Sequence, residues 1–284
     1  MRLIIWIAAL AMVECAAGAL PPAHPPRRAV DASKRLLRFR GGSDVDDFMS
    51  KLKTQGNVGP LRKEEIIEKL NAVPTFCIMQ EDGSVISLPD QAGQEGDECC
   101  TWFLDASEAQ TTLRRVIAAN PDLSGLKLAS HGLGDFIEMC DGWPRASSDV
   151  APVAASDDAP VLKLKGLREV AGAIGDQLVN ALKSQGLAVG NWQVAVFIAE
   201  ELAQATPEGA QIAMPVFLNP NDVRDAYAQA GIPEKALANV KVLELRQLLK
   251  YMGEATPDAV NPWRATRFYS SAGAMKLAHE VGGR

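Results

Sequence analysis

Apolar and polar positions along this chain repeat with two periods, and each period recurs in two places. At 73–79 (VPTFCIM) and 194–200 (VAVFIAE) short apolar runs place Phe76 and Ile78 on one face, and Phe197 holds the matching place in its copy. Runs this short, rich in β-branched and aromatic residues, predict buried strands. The runs at 102–104 and 216–218 each stop at a residue suited to cap a helix, Asp105 or Asn219, whose side chain accepts from the orphan N–H groups of a first turn. In the helix after Asp105, Ala109, Leu113, Val116 and Ile117 form a stripe at 3.6-residue spacing, while Gln110, Arg114 and Arg115 face out. The helix after Asn219 opens with Pro220, favoured at the first helical position, and Asp222, which suits the helix dipole.

The two stretches are copies of one unit. Residues 126–128 match 240–242 at an offset of 114, each a strand pattern with its lysine pointing out. A second helix follows, with Leu133, Phe136 and Ile137 apolar in one copy and Leu245, Leu248 and Leu249 in the other, at an offset of 112. Upstream, EEIIEKL at 64–70 precedes the first strand as DQLVNAL at 176–182 precedes its counterpart. Each half therefore predicts helix, strand, strand, helix, strand, helix. Strands at 73–79, 101–104 and 126–129 should superpose on those at 194–199, 214–218 and 240–243 about a pseudo-two-fold axis. Two copies are too few for a solenoid. The expected fold is α/β, with two pseudo-symmetric repeats forming one body with apolar grooves: half one over 60–140, a Pro/Ser/Ala/Asp-rich linker over 141–160, half two over 161–252 and a C-terminal tail over 253–284.

Residues 1–42 stand apart. The first 19 have a basic start at Arg2, an apolar run from Leu3 to Val13 and the small-residue pattern Ala17-Gly18-Ala19, the marks of a secretory signal, too short for a spanning helix. Residues 20–42 set Arg27, Arg28, Lys34, Arg35, Arg38 and Arg40 against the single acid Asp31, the balance of an organelle transit segment. A disordered presequence is expected here, with the mature N-terminus between Arg40 and Asp47 and the folded domain within 43–284. The whole chain carries 29 Lys/Arg and 35 Asp/Glu, for a net charge of −6; the presequence contributes +5, so residues 43–284 carry −11. That acidity disfavours nucleic acid and anionic membrane surfaces and favours basic partners. No later segment approaches eighteen uninterrupted apolar residues, so the mature product is expected to be soluble.

The chemistry-bearing residues are sparse. Cys15 lies in the signal, leaving Cys77, Cys99, Cys100 and Cys140. A disulfide from Cys77 to Cys99 or Cys100 fits a chain that has crossed a secretory compartment; Cys77 as a buried small apolar residue fits its strand. Cys99, Cys100, His131 and Cys140 lack metal-ligand spacing, and adjacent cysteines chelate poorly, so no metal and no cofactor are expected. A Cys77 or Cys140 nucleophile with His131 as base has no support in spacing, and His279 has only Glu280 as an acidic neighbour. Gly132-Leu133-Gly134 lacks the third glycine of a dinucleotide loop and is followed by Asp135, so it reads as a strand-to-helix turn. No catalytic residue is predicted.

Across residues 60–280 the order of several short motifs resembles the 22-kilodalton subunit family of the chloroplast inner-envelope protein import translocon. The residues that carry the resemblance are Val73-Pro74-Thr75-Phe76, Asp82-Gly83, Asp105-Ala106, Asn120-Pro121-Asp122-Leu123 and Gly132-Leu133-Gly134-Asp135, with Pro215-Val216-Phe217-Leu218 and KVLELRQLLKYM at 241–252 in the second half. The loop at 91–100 is longer and more acidic than the family pattern. The resemblance implies a non-enzymatic, chaperone-like protein of the plastid intermembrane space. It would accompany unfolded precursors with basic transit peptides between outer and inner envelope translocon components, in peripheral association with the membrane at most. A signal followed by a transit segment suits a complex algal plastid. A client-binding groove is expected around Trp143, Trp263, Phe268, Met79, Met139, Met214 and Met252; Trp143 and Trp263 stand beside Pro144 and Pro262 where the chain should turn at the surface, or else seal the ends of the core, each methionine equally suits a gap-filling core place, and Trp102 reads as core. A thiol redox protein using Cys99 and Cys100 and a structural adaptor between translocons are the alternatives.

Overall fold

In the computed structural model the described residues are 53–54, 56–89, 98–149, 161–190, 192–205 and 212–282. The signal and transit segments, the expected mature N-terminus and residues 150–160 of the linker lie outside them.

Strands apolar on both faces need cover on both sides, and two sheets with helices between and around them supply it. The chain runs through helix α1 (Lys63–Leu70), strands β1 (Pro74–Met79), β2 (Leu88–Pro89) and β3 (Glu98–Phe103), helix α2 (Ala106–Ala119), strand β4 (Lys127–Gly132) and helix α3 (Leu133–Met139). After the linker come β5 (Val161–Lys165), α4 (Arg168–Ser184), β6 (Ala195–Ile198), β7 (Gln204–Ala205), β8 (Ile212–Phe217), α5 (Pro220–Gln229), β9 (Lys241–Glu244), α6 (Leu245–Gly253), β10 (Thr266–Tyr269) and α7 (Ala272–Gly282). Both predicted caps form: Asp105 accepts from the Glu108 N–H, and Asn219 accepts from the Asn221 N–H ahead of Pro220.

The strand order β3-β1-β4 of the first sheet recurs as β8-β6-β9 in the second. Phe76 faces Phe103 across β1 and β3, and Phe197 faces Phe217 across β6 and β8. The junction into the next helix is also repeated, with the Leu133 N–H donating to the Val73 carbonyl and the Leu245 N–H to that of Val194, both at 2.8 Å. Cys77 pairs with Ala129 in one half and Ile198 with Lys241 in the other. The true offset in this strand is therefore 112, and Lys127 and Lys241 are not equivalent: the strand runs directly into its helix, so the buried leucine fixes the register and the outward lysine does not.

Two features depart from the expected halves. The second half is expected from residue 161, yet β5 pairs parallel with β3 and completes the first sheet. The stretch drawn as a C-terminal tail contains β10, which pairs parallel with β8 in the corresponding place, and α7. Each of these edge strands then sends its helix to the opposite sheet. After β5, α4 packs on β6 and β9; after β10, α7 packs on β1 and β4. Thus α7, not α1, is the counterpart of α4.

Alternation along the strands sorts the apolar residues into three clusters. Phe76, Ile78, Phe103 and Leu128 meet Ala109 and Val116 of α2 and Ala274 and Leu277 of α7 on the outer face of the first sheet. Ala195, Phe197 and Phe217 meet Leu178 of α4 and Val223 and Tyr227 of α5 on the outer face of the second. The inner faces share one central core with α1, α3 and α6: Val73, Cys77 and Trp102 from one sheet and Val194, Val196, Ile198 and Val216 from the other. Among the described residues helix α1 has no helical counterpart. In its place residues 185–190 and 192–193 pack against α6, held by Arg246, whose guanidinium donates to the carbonyls of Ala188 (3.2 Å) and Trp192 (2.6 Å), pairs with Glu244 (3.2 Å) and lies 4.7 Å from the Trp192 ring centre.

Candidate functional site

The residues expected to line a groove divide by burial. Met214, Met252, Trp263 and Phe268 lie in the central core. The surface position expected of Trp263 is corrected: Asn261 caps a single 3-10 turn over Pro262–Ala265, which folds the ring inward to stack on Tyr251 at 5.9 Å. Phe268 points inward because β10 is a strand of the sheet. Trp102 is core, as its strand position implied, and packs on His131 and Phe136. Met79 is half-buried against the central core. One candidate remains at the surface, Met139, 52% exposed at the end of α3; Trp143, four residues later, is half-buried and packs against the central core.

These two sit at one end of an antiparallel pair formed by α1 and α3. At one end the Asn71 side chain accepts from the Asp135 N–H (3.0 Å) and donates to the Asp135 carboxylate (2.8 Å); at the other, Lys63 Nζ lies 5.2 Å from the Trp143 ring centre. The helices approach closely because Gly132 and Gly134 have no side chains. A Cβ on Gly134 would stand 2.3 Å from the Ile67 carbonyl oxygen, and one on Gly132 would stand 2.2 Å from Asn71 Oδ1. The GLGD stretch is thus a helix start capped by Asn71, as a turn reading requires. In the second half the same place is held by Glu244, Arg246 and Gln247, where Glu244 and Gln247 form a capping box. Glu244 is fully buried, which raises its carboxyl pKa; Arg246 and the backbone N–H groups of Arg246 and Val194 oppose that rise.

The solvent side of the α1–α3 pair is acidic. By helical spacing Glu64 and Glu68 follow one side of Ile67, and Asp135 and Glu138 flank Gly134 on the other. All four carboxylates are exposed and Ile67 is half-buried. Sequence reasoning missed these acids because they emerge as one surface only when α1 is laid against α3. A narrow crevice with room for about one water, too small for a ligand, lies where the halves cross, lined by Leu104, Leu167, Val170, Leu178, Val194 and Leu218.

Cys77, Cys99, Cys100 and Cys140 are all free thiols. Cys99 and Cys100 are neighbours in β3 and so point to opposite faces. Burial pushes the Cys77 thiol up to about 12 and the half-buried Cys140 up to about 11, and it raises Cys100 as well. A reactive thiol needs the opposite shift. Among the described residues no group of three His, Cys, Asp or Glu side chains could hold a metal ion, and no helix is long and apolar enough to cross a membrane.

The fold defines a class of protein: a two-halved α/β body in which each half lends its last helix to the other. No family model and no curated protein matches the sequence. Among solved structures, the chain is similar to Anabaena Tic22, described as protein transport, at a TM-score of 0.51 and 15% identity, covering 78% of this chain and 97% of that one. It is also similar to Tic22 from Plasmodium falciparum, at a TM-score of 0.50 and 20% identity, covering 76% of this chain and 97% of that one. The chain has the Tic22 fold.

Proposed function

We propose that this protein is a component of plastid protein import that accompanies unfolded precursors across the intermembrane space of the envelope, handing them between outer and inner translocon components without catalysis. The observation that carries the reading is the shared fold, which spans 97% of two Tic22 chains, one of them described as protein transport. The charge balance supports it, since a body of −11 attracts segments as basic as residues 20–42. The signal followed by a transit-like segment supports delivery to a complex algal plastid. The buried, unreactive thiols weigh against the redox alternative.

The test is a client assay. A precursor diluted from denaturant should stay in solution when residues 43–284 are present in molar excess, without nucleotide, and light scattering should report it. Unchanged aggregation would overturn the reading. Protease protection in fractionated plastids tests the compartment; a protein recovered in the stroma would refute the intermembrane assignment.

A further inference from the structure

We infer that α7 is a releasable cover, and that the sheet face beneath it seats one apolar helical stretch of an unfolded client. The inference rests on the carrier reading above and names the surface that a carrier of this fold uses. Helix α7 lies over Phe76, Ile78 and Leu128 on the outer face of the first sheet. Only two of its side chains are buried there, Ala274 and Leu277, with Ala278 and Val281 partly so, while Met275 is 51% exposed. Among the described residues no hydrogen bond or ion pair joins α7 to the body. Ser271 caps the helix by accepting from the Ala274 N–H at 3.1 Å, and Lys276 reaches Glu280 along the helix's own surface.

Its counterpart is held differently. Helix α4 buries Leu178 and Leu182, adds Val170 and Ile174, and has polar ties at both ends, Arg168 to Glu108 at 3.6 Å and its C-cap Gln185 to the Tyr251 hydroxyl at 2.6 Å. All strands of the second sheet follow α4, so it cannot swing away without them; α7 follows every strand and can lift off with the ladders in place. Segments with few apolar anchors and no polar ties open first. The occupant of the face is specified by the helix that covers it: Ala274, Leu277, Ala278 and Val281 form one stripe, small or apolar at each helical repeat. A client stretch with that pattern replaces the cover, whereas a charged or Gly/Pro-rich stretch does not.

Hydrogen exchange read by mass spectrometry, on the chain from Ser43 onward, tests the cover. Amides of α7 should exchange at least about tenfold faster than those of α4 while β1 stays protected. Leu277→Ala, which deletes the one long buried anchor, should speed α7 exchange about tenfold again and leave β1 within about twofold of the parent. A fluorescent peptide of residues 270–282 probes the seat. It should bind the Leu277→Ala chain about tenfold more tightly than the parent, in which the helix in place competes. The same peptide carrying Leu277→Ala should bind about tenfold more weakly. Saturating peptide should also release a precursor held by the chain, read by light scattering. Equal exchange of α7 and α4, α7 opening that always brings β1 with it, equal binding of the two peptides, or a precursor held as well with the seat filled would each overturn the inference. The two readings fail separately: a chain that opens and takes the peptide but protects no precursor sinks the carrier reading and supports the cover and its seat, and a chain that protects precursors with α7 closed removes the cover alone.

Discussion

Asn261 offers the sharpest test of how the ends of the chain are tied together. Its side chain is 1% exposed and makes three hydrogen bonds. The amide donates to the carbonyls of Gly59 and Met252, each at 3.0 Å, and its oxygen accepts from the Trp263 N–H at 3.1 Å. Asn261→Ala strands two of those groups, the Gly59 carbonyl and the Trp263 N–H; the Met252 carbonyl keeps the Leu61 N–H at 2.9 Å. A stranded buried polar group costs about 1–3 kcal/mol, so the substitution should cost about 2–5 kcal/mol. In a domain of this size that lowers Tm by roughly 5–15 °C. Asn261→Asp sharpens the logic. The carboxylate still accepts from Trp263 but sets a negative oxygen against two carbonyls, so it should cost at least as much at neutral pH and recover part of the loss once protonated, below about pH 4. Urea unfolding followed by tryptophan fluorescence and by circular dichroism reads both. An Ala variant within about 1 kcal/mol of the parent, or an Asp variant as stable as the parent at neutral pH, would show that segment 57–62 is not held as described.

Other predictions follow from the two halves solving one problem differently. Glu108 in α2 is neutralised by Lys165 at 2.8 Å, but the position equivalent to Lys165 is Tyr269, and Asp222 Oδ2 in α5 is buried without a partner. Burial, aided by Asp225, raises the Asp222 pKa, so its folded form holds the proton more tightly than the unfolded chain does; the group is harmless when protonated and costs stability as pH rises through its folded pKa. Asp222→Asn should therefore stabilise the protein by under about 1 kcal/mol at neutral pH, with the gain vanishing below about pH 4 in urea titrations. The cysteines give a second check: iodoacetamide followed by intact mass should label Cys77, Cys99 and Cys100 only after unfolding, and rapid labelling of the native protein would refute their burial.

Much of the fold was legible in the sequence because local signals and tertiary burial agreed. Phe76 and Phe197, Asp105 and Asn219, Leu133 and Leu245 all hold equivalent places, each marked by a period or a cap read from a few neighbours. The edge strands were misplaced because pairing is non-local. Nothing within 161–165 says that this run joins a strand sixty residues earlier, and TRFY at 266–269 is too short to announce itself. Trp263 and Phe268 were placed outside for the same reason, since their burial depends on β10 being a sheet member. The close packing of α1 on α3 was illegible because it joins two segments brought together by Gly132, Gly134 and Asn71.

The exchange of helices between the sheets bears on the order in which the chain can fold. A polypeptide that emerges from a ribosome or a membrane pore N-terminus first presents β1, β3 and β4 early, but the outer face around Phe76, Ile78 and Leu128 stays partly open until Ala274 and Leu277 arrive. Both residues belong to α7, which follows every strand of both sheets. Completion therefore waits for α7: a chain threaded through a channel with α7 still behind it cannot close its first sheet, and stays pliable until that helix arrives.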